Sequence, residues 1–418
     1  MSSSSSRIVE LANIIQTNTQ AVDGYLASKG LPAPSFAADN PPTLLFGHGA
    51  EIEASRQAVV DATDELQALM LGPTGTLSSL FHNSLLSIQA ILRFNLLEFP
   101  DGKEEVTFAE LAATCGQNES EIRRLLRHAM AYRIFTEPRK GYVAHTAASK
   151  KLADPLMKAW LGFATEELCP SAVNTVNALQ KWPDAQEPNH TGFNLANNTE
   201  EVFFAEIPKD LVRESRYADA MAWFNSAPGF GPEGLVNAIP WSGYETVVDV
   251  GGNTGLASQA IARKHESVKL IVQDRPEPVA EGRAKLDPEL KDRVTFMEHD
   301  FFQDQTVRAD VYLLRWILHD WSDKYAIKIL RALIPALKRG ARVVLNEFVL
   351  PPPGAASAYQ SKVLRTMDLS MLELHNGKER DADDWEKLFS DCDPRFKFLG
   401  TTRVPGSRLG VVEAKWEP

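Results

Sequence analysis

The sequence predicts an α/β protein: an open, mostly parallel sheet covered by helices on both faces, with an antiparallel last strand, behind a helical amino-terminal part that includes a winged helix. Three observations carry this. From Glu245 onward, apolar runs of strand length alternate with helix-period segments. Ahead of them helical periodicity dominates. The 418 residues also exceed one core of about 250 to 300 residues, so the chain is expected to divide. The expected parts are a helical domain over 1–150, a helical connector over 151–240 and the sheet domain over 241–418.

The tip "MSSSSSR" is polar and no apolar stretch of signal-peptide type follows it. "RIVELANIIQTNTQAVDGYLA" and "TLSSLFHNSLLSIQAILRFNLLEF" carry helical spacing, with the Pro-rich connector "LPAPSFAADNPPTLLFG" between them. Residues 104–146 then read as a winged helix: a short helix, a turn at Gly116, a second helix capped by Asn118, and a hairpin-like pair around "EPRKGY". Arg123, Arg124, Arg127 and Arg133 on it allow two readings, a DNA-binding face or a solvated helix face in a packing domain. The connector is rich in aromatics, among them Trp160, Phe163, Trp182, Trp223 and Phe224. Most belong in a core, while Trp223 and Phe224 are candidates for the wall of a pocket that takes a flat organic molecule.

In the last part "TVVDV", "VKLIVQD", "VTFMEHD", "ADVYLLR" and "ARVVLNEFVL" read as buried strands, with helices such as "GLASQAIARKH" and "SDKYAIKILRALIPALKRG" between them. "RFKFLGTTRVPGSRLGVVEAKW" reads as two strands joined at a Pro-Gly turn, which makes the last pair antiparallel.

Composition narrows the function. Hydrophobic content of 44% and charge of 24% are those of a soluble globular protein. A net charge of -11 opposes nucleic-acid binding, whose phosphates would be repelled. Cys115, Cys169 and Cys392 lie far apart and out of metal-ligand spacing, so neither disulfides nor a metal site are expected. With no membrane-length apolar run, the expectation is a cytoplasmic protein.

Three groups of residues carry chemistry. In "VVDVGGNTG", a strand runs into a glycine-rich turn and a helix, so Gly251, Gly252 and Gly255 let the backbone approach a ligand beside Asp249. Val250 breaks the dinucleotide fingerprint and disfavours a nicotinamide cofactor. Asp274 ends the next strand, about 25 residues on, where an acid can take a ribose diol. Asp300 and Phe301 end the third, where a carboxylate and a ring suit adenine. The second group is "LLRWILHDWSD": Ser322 and Asp323 suit a helix start, whereas His319 has no structural reason and sits on a loop at the ligand-binding edge of the sheet. The third is Glu347, which interrupts an apolar strand and needs a partner, together with Glu379 in "LHNGKERD".

Taken in order, "VVDVGGNTG", "IVQD", "LLRWILHDWSD", "LNEFVLPP" and "MLELHNGKER" resemble the S-adenosylmethionine-dependent O-methyltransferases of plant and fungal secondary metabolism, related to the caffeate and flavonoid enzymes. The resemblance spans most of the chain. It implies a Rossmann-like class I methyltransferase sheet, a winged-helix dimerisation domain and a homodimer. It also implies S-adenosylmethionine as cofactor on Asp249, Gly251, Asp274, Asp300, Phe301 and Arg315, and His319 as base flanked by Glu347 and Glu379. The acceptor pocket would use Met367, Asp368, Met371 and Asn376. Asn253 departs from the third consecutive glycine of plant members, and Asp381 from a common threonine.

The expected activity is methylation of a hydroxyl on a phenolic or polyketide-type molecule. A phenol of pKa near 10 is a poor nucleophile at neutral pH, and a neutral imidazole can take its proton as the new bond forms. Two other readings stay open at this level. One is a methyltransferase-fold pericyclase or dehydratase that binds S-adenosylmethionine without methyl transfer; the other is a winged-helix regulator that binds a metabolite.

Overall fold

The computed structural model describes residues 5–418; most of the polar tip, residues 1–4, lies outside the described residues. By the density of its contacts the chain divides into two units. One holds residues 1–170, 207–223 and 357–362; the other holds 171–206, 224–356 and 363–418. The aromatic connector 151–240 is thus shared between them. Among the described residues no helix is long and apolar enough to cross a membrane, and the three cysteines are free.

In the first unit the helices Arg7–Ser28 and Ala50–Ser78 pack on each other, the second kinked where Gly72 (φ 66°) precedes Pro73. The winged helix follows: strand β1 (Glu105–Thr107), helices Phe108–Cys115 and Glu119–Ala131, and strand β2 (Tyr142–Ala144) antiparallel to β1. Local chemistry sets these boundaries. Thr107 and Glu110 close a capping box, Gly116 ends the first helix at φ 67°, and the Asn118 side chain accepts from Ser120 N–H. The expected hairpin around 137–142 is only a bridge between Thr136 and Ala144. Val106, Phe108, Leu111, Ile122, Leu126, Phe135 and Val143 fill the core between these elements. The arginines are occupied: Arg123 pairs with Glu119, Arg124 with Glu121 (3.0 Å), Arg127 with Glu137 (2.9 Å), and Arg133 lies over Phe36. Arg123, Arg124 and Arg127 thus each have a glutamate beside them.

The second unit is built on seven strands: β3 (Thr246–Val250), β4 (Lys269–Asp274), β5 (Val294–Glu298), β6 (Val311–Arg315), β7 (Arg342–Glu347), β8 (Phe396–Arg403) and β9 (Gly410–Trp416). Their order is β5-β4-β3-β6-β7-β9-β8, parallel except for β9, which runs antiparallel to β7 and β8. Val247, Val248 and Val250 on β3, and Val311 to Leu314 on β6, are buried on both faces as a covered parallel sheet requires. Helices Leu256–Lys264 and Pro276–Lys285 bury Ala257, Ile261 and Val279 on one face; helices Asp323–Leu333 and Ala382–Cys392 bury Ile329, Leu330, Trp385 and Phe389 on the other. The chain leaves β3 toward β4 on one side and returns to β6 on the other, so the carboxyl ends of β3 and β6 flank the crevice where such sheets bind ligands.

One helix start differs from expectation. Ser322 stands at the N-cap of Asp323–Leu333 but makes no side-chain cap; its hydroxyl donates to Gln186 C=O (2.8 Å). The cap comes from far along the chain, where Gln186 Oε1 accepts from Lys324 N–H (2.9 Å). The hydroxyl is drawn away because that backbone carbonyl lies within reach. Gln186→Ala should therefore cost about 1 kcal/mol of stability, by analogy with other cap losses, in thermal denaturation; an unchanged melting temperature would mean that water caps the helix equally well.

Candidate active site

At the end of β3 the turn 251–255 is drawn tight against its surroundings. Gly251 and Gly252 both donate their N–H to Gln273 C=O (2.8 and 3.1 Å). A Cβ on Gly251 (φ 70°) would lie 2.5 Å from the Ile317 side chain, and one on Gly252 would lie 2.6 Å from the Asp249 carboxylate. Asn253 takes φ 50°, a left-handed conformation that asparagine tolerates, and its N–H donates to Asp274 Oδ2 (2.8 Å). This explains how asparagine stands where plant members carry glycine. Gly255 (φ 77°) starts the next helix, where a Cβ would lie 3.0 Å from the Phe296 ring and 3.2 Å from Val272. Asp274 also accepts from Arg275 N–H, and Asp300 accepts from Phe302 N–H (2.9 Å), each a short turn that fixes its carboxylate. Phe301 lies beside Gly251, and Phe301, Phe302, Trp321 and Tyr325 form one aromatic group at the strand ends.

Asp249 supplies the test of fit for a cofactor. It is buried, and Oδ2 accepts from the Ser258 hydroxyl (2.7 Å), yet Oδ1 has no donor. Burial pushes its carboxyl up to about 6, against the opposing effects of Ser258 and Arg315. An orphaned buried acceptor is costly, and a cationic N–H donor would satisfy it. With the glycine turn and the carboxylates of Asp274 and Asp300, these residues fit an adenosyl group that carries an ammonium. Arg315 is engaged differently from expectation. Its guanidinium donates to Asn346 Oδ1 (3.0 Å), Asn225 Oδ1 (3.2 Å) and Phe230 C=O, so it braces residues 225–230 against β7.

The loop after β6 carries the titratable cluster. Trp316 opens it at φ 57°, a strained conformation for so bulky a residue, and a 3₁₀ turn, Leu318–Asp320, follows. His319 is buried, and its Nδ1 lies 2.8 Å from Glu379 Oε1. A carboxylate can only accept here, so Nδ1 carries the proton and Nε2 is the other, open nitrogen. Glu347 is fully buried at the end of β7, but its Oε1 accepts from Ile317 and Leu318 N–H (3.0 and 2.9 Å). It holds the loop's backbone, whereas Glu379 holds the ring. Burial pushes the Glu347 carboxyl up to about 7, although His319 opposes this. Burial also disfavours the His319 imidazolium, but Asp320, Glu379 and Glu347 outweigh it and its pKa is pushed up to about 10. In the ligand-free protein His319 is therefore protonated at neutral pH.

Residues that the motifs did not flag set this geometry. Arg380, fully buried, donates to the carbonyls of Leu318 (2.9 Å) and Trp321 (2.9 Å) and pairs with Asp323 (2.8 Å). It sews the histidine loop to the Glu379 segment. A Cβ on Gly377 would collide with the His319 and Asp320 carbonyls, and Lys378 N–H donates to His319 C=O (3.0 Å). Among the expected acceptor residues, Asp368 accepts from Glu379 N–H (3.0 Å), and Asn376 donates to Glu187 and His190 C=O (2.7 and 3.0 Å). Asn376 is thus held to backbone, while the second oxygen of Asp368 lies 3.7 Å from the Arg365 guanidinium. Met367 and Phe224 join Trp316, Phe230 and Phe348 in an apolar wall, and the Trp316 ring lies 4.9 Å from that of His319. Met371 is half-buried one helical turn after Met367. Trp223 belongs to the first unit, where it stacks on Trp160 (5.4 Å, 5°). A run such as "KER" normally reads as surface charge, and only the fold shows that its arginine is buried.

The chain is similar to known proteins along its length. Residues 207–393 match the family model described as an O-methyltransferase domain. The chain is 40% identical over 418 residues to the grayanic acid biosynthesis cluster O-methyltransferase of Cladonia grayi, covering 99% of this chain and 88% of the relative. It is 38% identical over 430 residues to the chlorophenol O-methyltransferase of Trichoderma longibrachiatum, covering 99% and 91%. The crystal structure of OxaC shares the fold, with a TM-score of 0.74 at 20% identity over 98% of this chain and 99% of that one.

The Asp249 carboxyl is raised above its unfolded value near 4, so the stability tied to its proton is complete below that value and is lost as pH rises through about 6. Two units correspond to roughly 3 kcal/mol. Thermal denaturation of the ligand-free protein should show Asp249→Asn gaining on the wild type between pH 4 and 7; a constant difference across that range would contradict this placement of the carboxylate.

Proposed function

The chain belongs to the O-methyltransferase family and is an S-adenosylmethionine-dependent O-methyltransferase, and we propose that it methylates a phenolic hydroxyl of a flat aromatic or polyketide-type natural product with His319 as general base. One observation carries the assignment of the base: Glu379 holds His319 Nδ1, which leaves Nε2 to take a proton beside an apolar wall. S-adenosylmethionine, when bound, supplies a methyl group made electrophilic by a positively charged sulfur. Asp249 Oδ1 would accept from its ammonium, Asp274 would take the ribose hydroxyls, and Phe301 beside Gly251 would flank the adenine.

His319 must be neutral at Nε2 to act, and in the ligand-free protein it is not. A cationic donor brought into the crevice lowers the imidazole's proton affinity, because like charges disfavour one another. Nε2 then takes the acceptor's proton, and the Glu379 carboxylate stabilises the imidazolium that forms. Phe224, Phe230, Trp316, Phe348 and Met367 shield the acceptor ring from water. That one relative is named for chlorophenol supports a phenolic acceptor here.

We also propose a homodimer formed through the first unit. The large apolar side chains of Leu69, Met70, Leu71, Leu77, Leu80 and Phe81 are exposed there, more than a monomer's surface ordinarily leaves uncovered in one stretch. Equilibrium sedimentation should give twice the chain mass, and Leu77→Glu with Leu80→Glu should give the single chain.

His319→Ala should lower kcat by about 10²- to 10⁴-fold, while calorimetry shows the cofactor bound no more weakly than by the wild type, since the variant lacks the imidazolium that opposes a cationic donor. With a wild-type acceptor in hand, each product molecule gains one methyl and yields one S-adenosylhomocysteine. Wild-type turnover in the variant would remove His319 from the chemistry.

A further inference from the structure

We propose that Asp320 is a positioning residue that governs the proton on Nε2 of His319, that buried His375 holds it in place, and that the proton leaves the site through it. The inference rests on the reading of His319 as the base. With Nδ1 bound to Glu379, Nε2 is the nitrogen at which the proton is gained and lost, and Asp320 Oδ1 lies 3.5 Å from it. The same oxygen lies 3.8 Å from Nε2 of His375. His375 is buried at the end of helix Ala358–His375, with its ring stacked on Phe204 (4.8 Å, 9°) and met edge-on by Phe203. Burial pushes it down to about 4, so it stays a neutral imidazole that can offer N–H without bringing charge. The Asp320 backbone is seated on Gly377, where no Cβ fits. His319 and His375 therefore flank one carboxylate oxygen, at 3.5 and 3.8 Å, while its main chain is packed against Gly377.

The charged and titratable groups facing His319 are Glu347 from β7, Glu379 from the segment after the helix, Asp320 from its own loop, and His375. Arg380 contacts the loop's carbonyls and Asp323 instead. Of the three carboxylates, the side chain of Glu379 is 1% exposed and Glu347 is fully buried, whereas that of Asp320 is 20% exposed. Solvent reaches only the last. In the balanced sequence the acceptor's O–H bond breaks as N–H forms at Nε2. The imidazolium then passes that proton to Oδ1 of Asp320, which releases it to water and leaves the imidazole neutral for the next turnover. Glu379 keeps its hydrogen bond to Nδ1 throughout.

The test is an NMR titration of ligand-free protein labelled with ¹³C at histidine Cε1, the His319 signal being assigned with His319→Gln. Asp320→Asn should lower the pKa of His319 by about one to two units, and His375→Gln should lower it by less. The acid limb of kcat/KM should move down in pH with both variants, a displacement that a purely structural role would not produce. Should Asp320→Asn fail to fold, the titration and pH profile of His375→Gln decide the matter. An unchanged His319 titration in the folded variants would overturn the proposal. Absence of methyl transfer by the wild type would instead sink the phenol reading and leave the titration interpretable.

Discussion

The hydrogen bond between Glu379 Oε1 and His319 Nδ1 is the contact on which the site depends. It joins a loop after β6 to a segment beyond the long helix Ala358–His375, so nothing local can secure it. The fold secures it from both sides. Glu347 holds the histidine loop by two of its amides, Asp368 holds the backbone of Glu379, and Arg380 bridges the two segments through carbonyl oxygens. Gly377 allows the approach, since any side chain would strike the His319 carbonyl. Burying a guanidinium and two carboxylates, those of Glu347 and Glu379, costs several kcal/mol per ion unless each is paired. Here that burial holds one imidazole ring in one orientation.

The same electrostatics describe a resting state and a working one. Around the ligand-free imidazole the acidic groups outweigh the desolvation of its charge, and it keeps its proton. Asp249, one strand away, is likewise a buried acid short of a donor. In the proposed reading, these two acidic sites lie at adjacent strands, β3 and β6, and a cationic donor entering between them would relieve both. Affinity for the donor and readiness of the base are thereby one electrostatic quantity.

Much of this was legible in the chain. The alternation after Glu245 and the acids at the strand ends reflect local requirements, a covered strand or a close backbone approach, and such requirements leave a mark in the residues themselves. The departures at Asn253 and Asp381 are also local. Asparagine accepts the left-handed turn, and Asp381 caps its helix as threonine would, by accepting from Asp384 N–H. What escaped were the long-range choices of polar side chains. Ser322 could have capped its own helix, but Gln186 does so. Arg315 could have reached a cofactor, but it braces Asn225 and Phe230. Glu347 could have touched the ring, but it binds the loop. In each case two partners were chemically equivalent and only three-dimensional proximity decided between them.

The central claim is that Glu379 acts on methyl transfer through His319 and not by itself. A double-mutant cycle on kcat measures this directly, using Glu379→Gln and His319→Ala singly and together. The account predicts that Glu379→Gln slows the wild type substantially but has almost no further effect once His319 is alanine. Losses that simply add, each at full size in both backgrounds, would show that the two residues act independently and would contradict it.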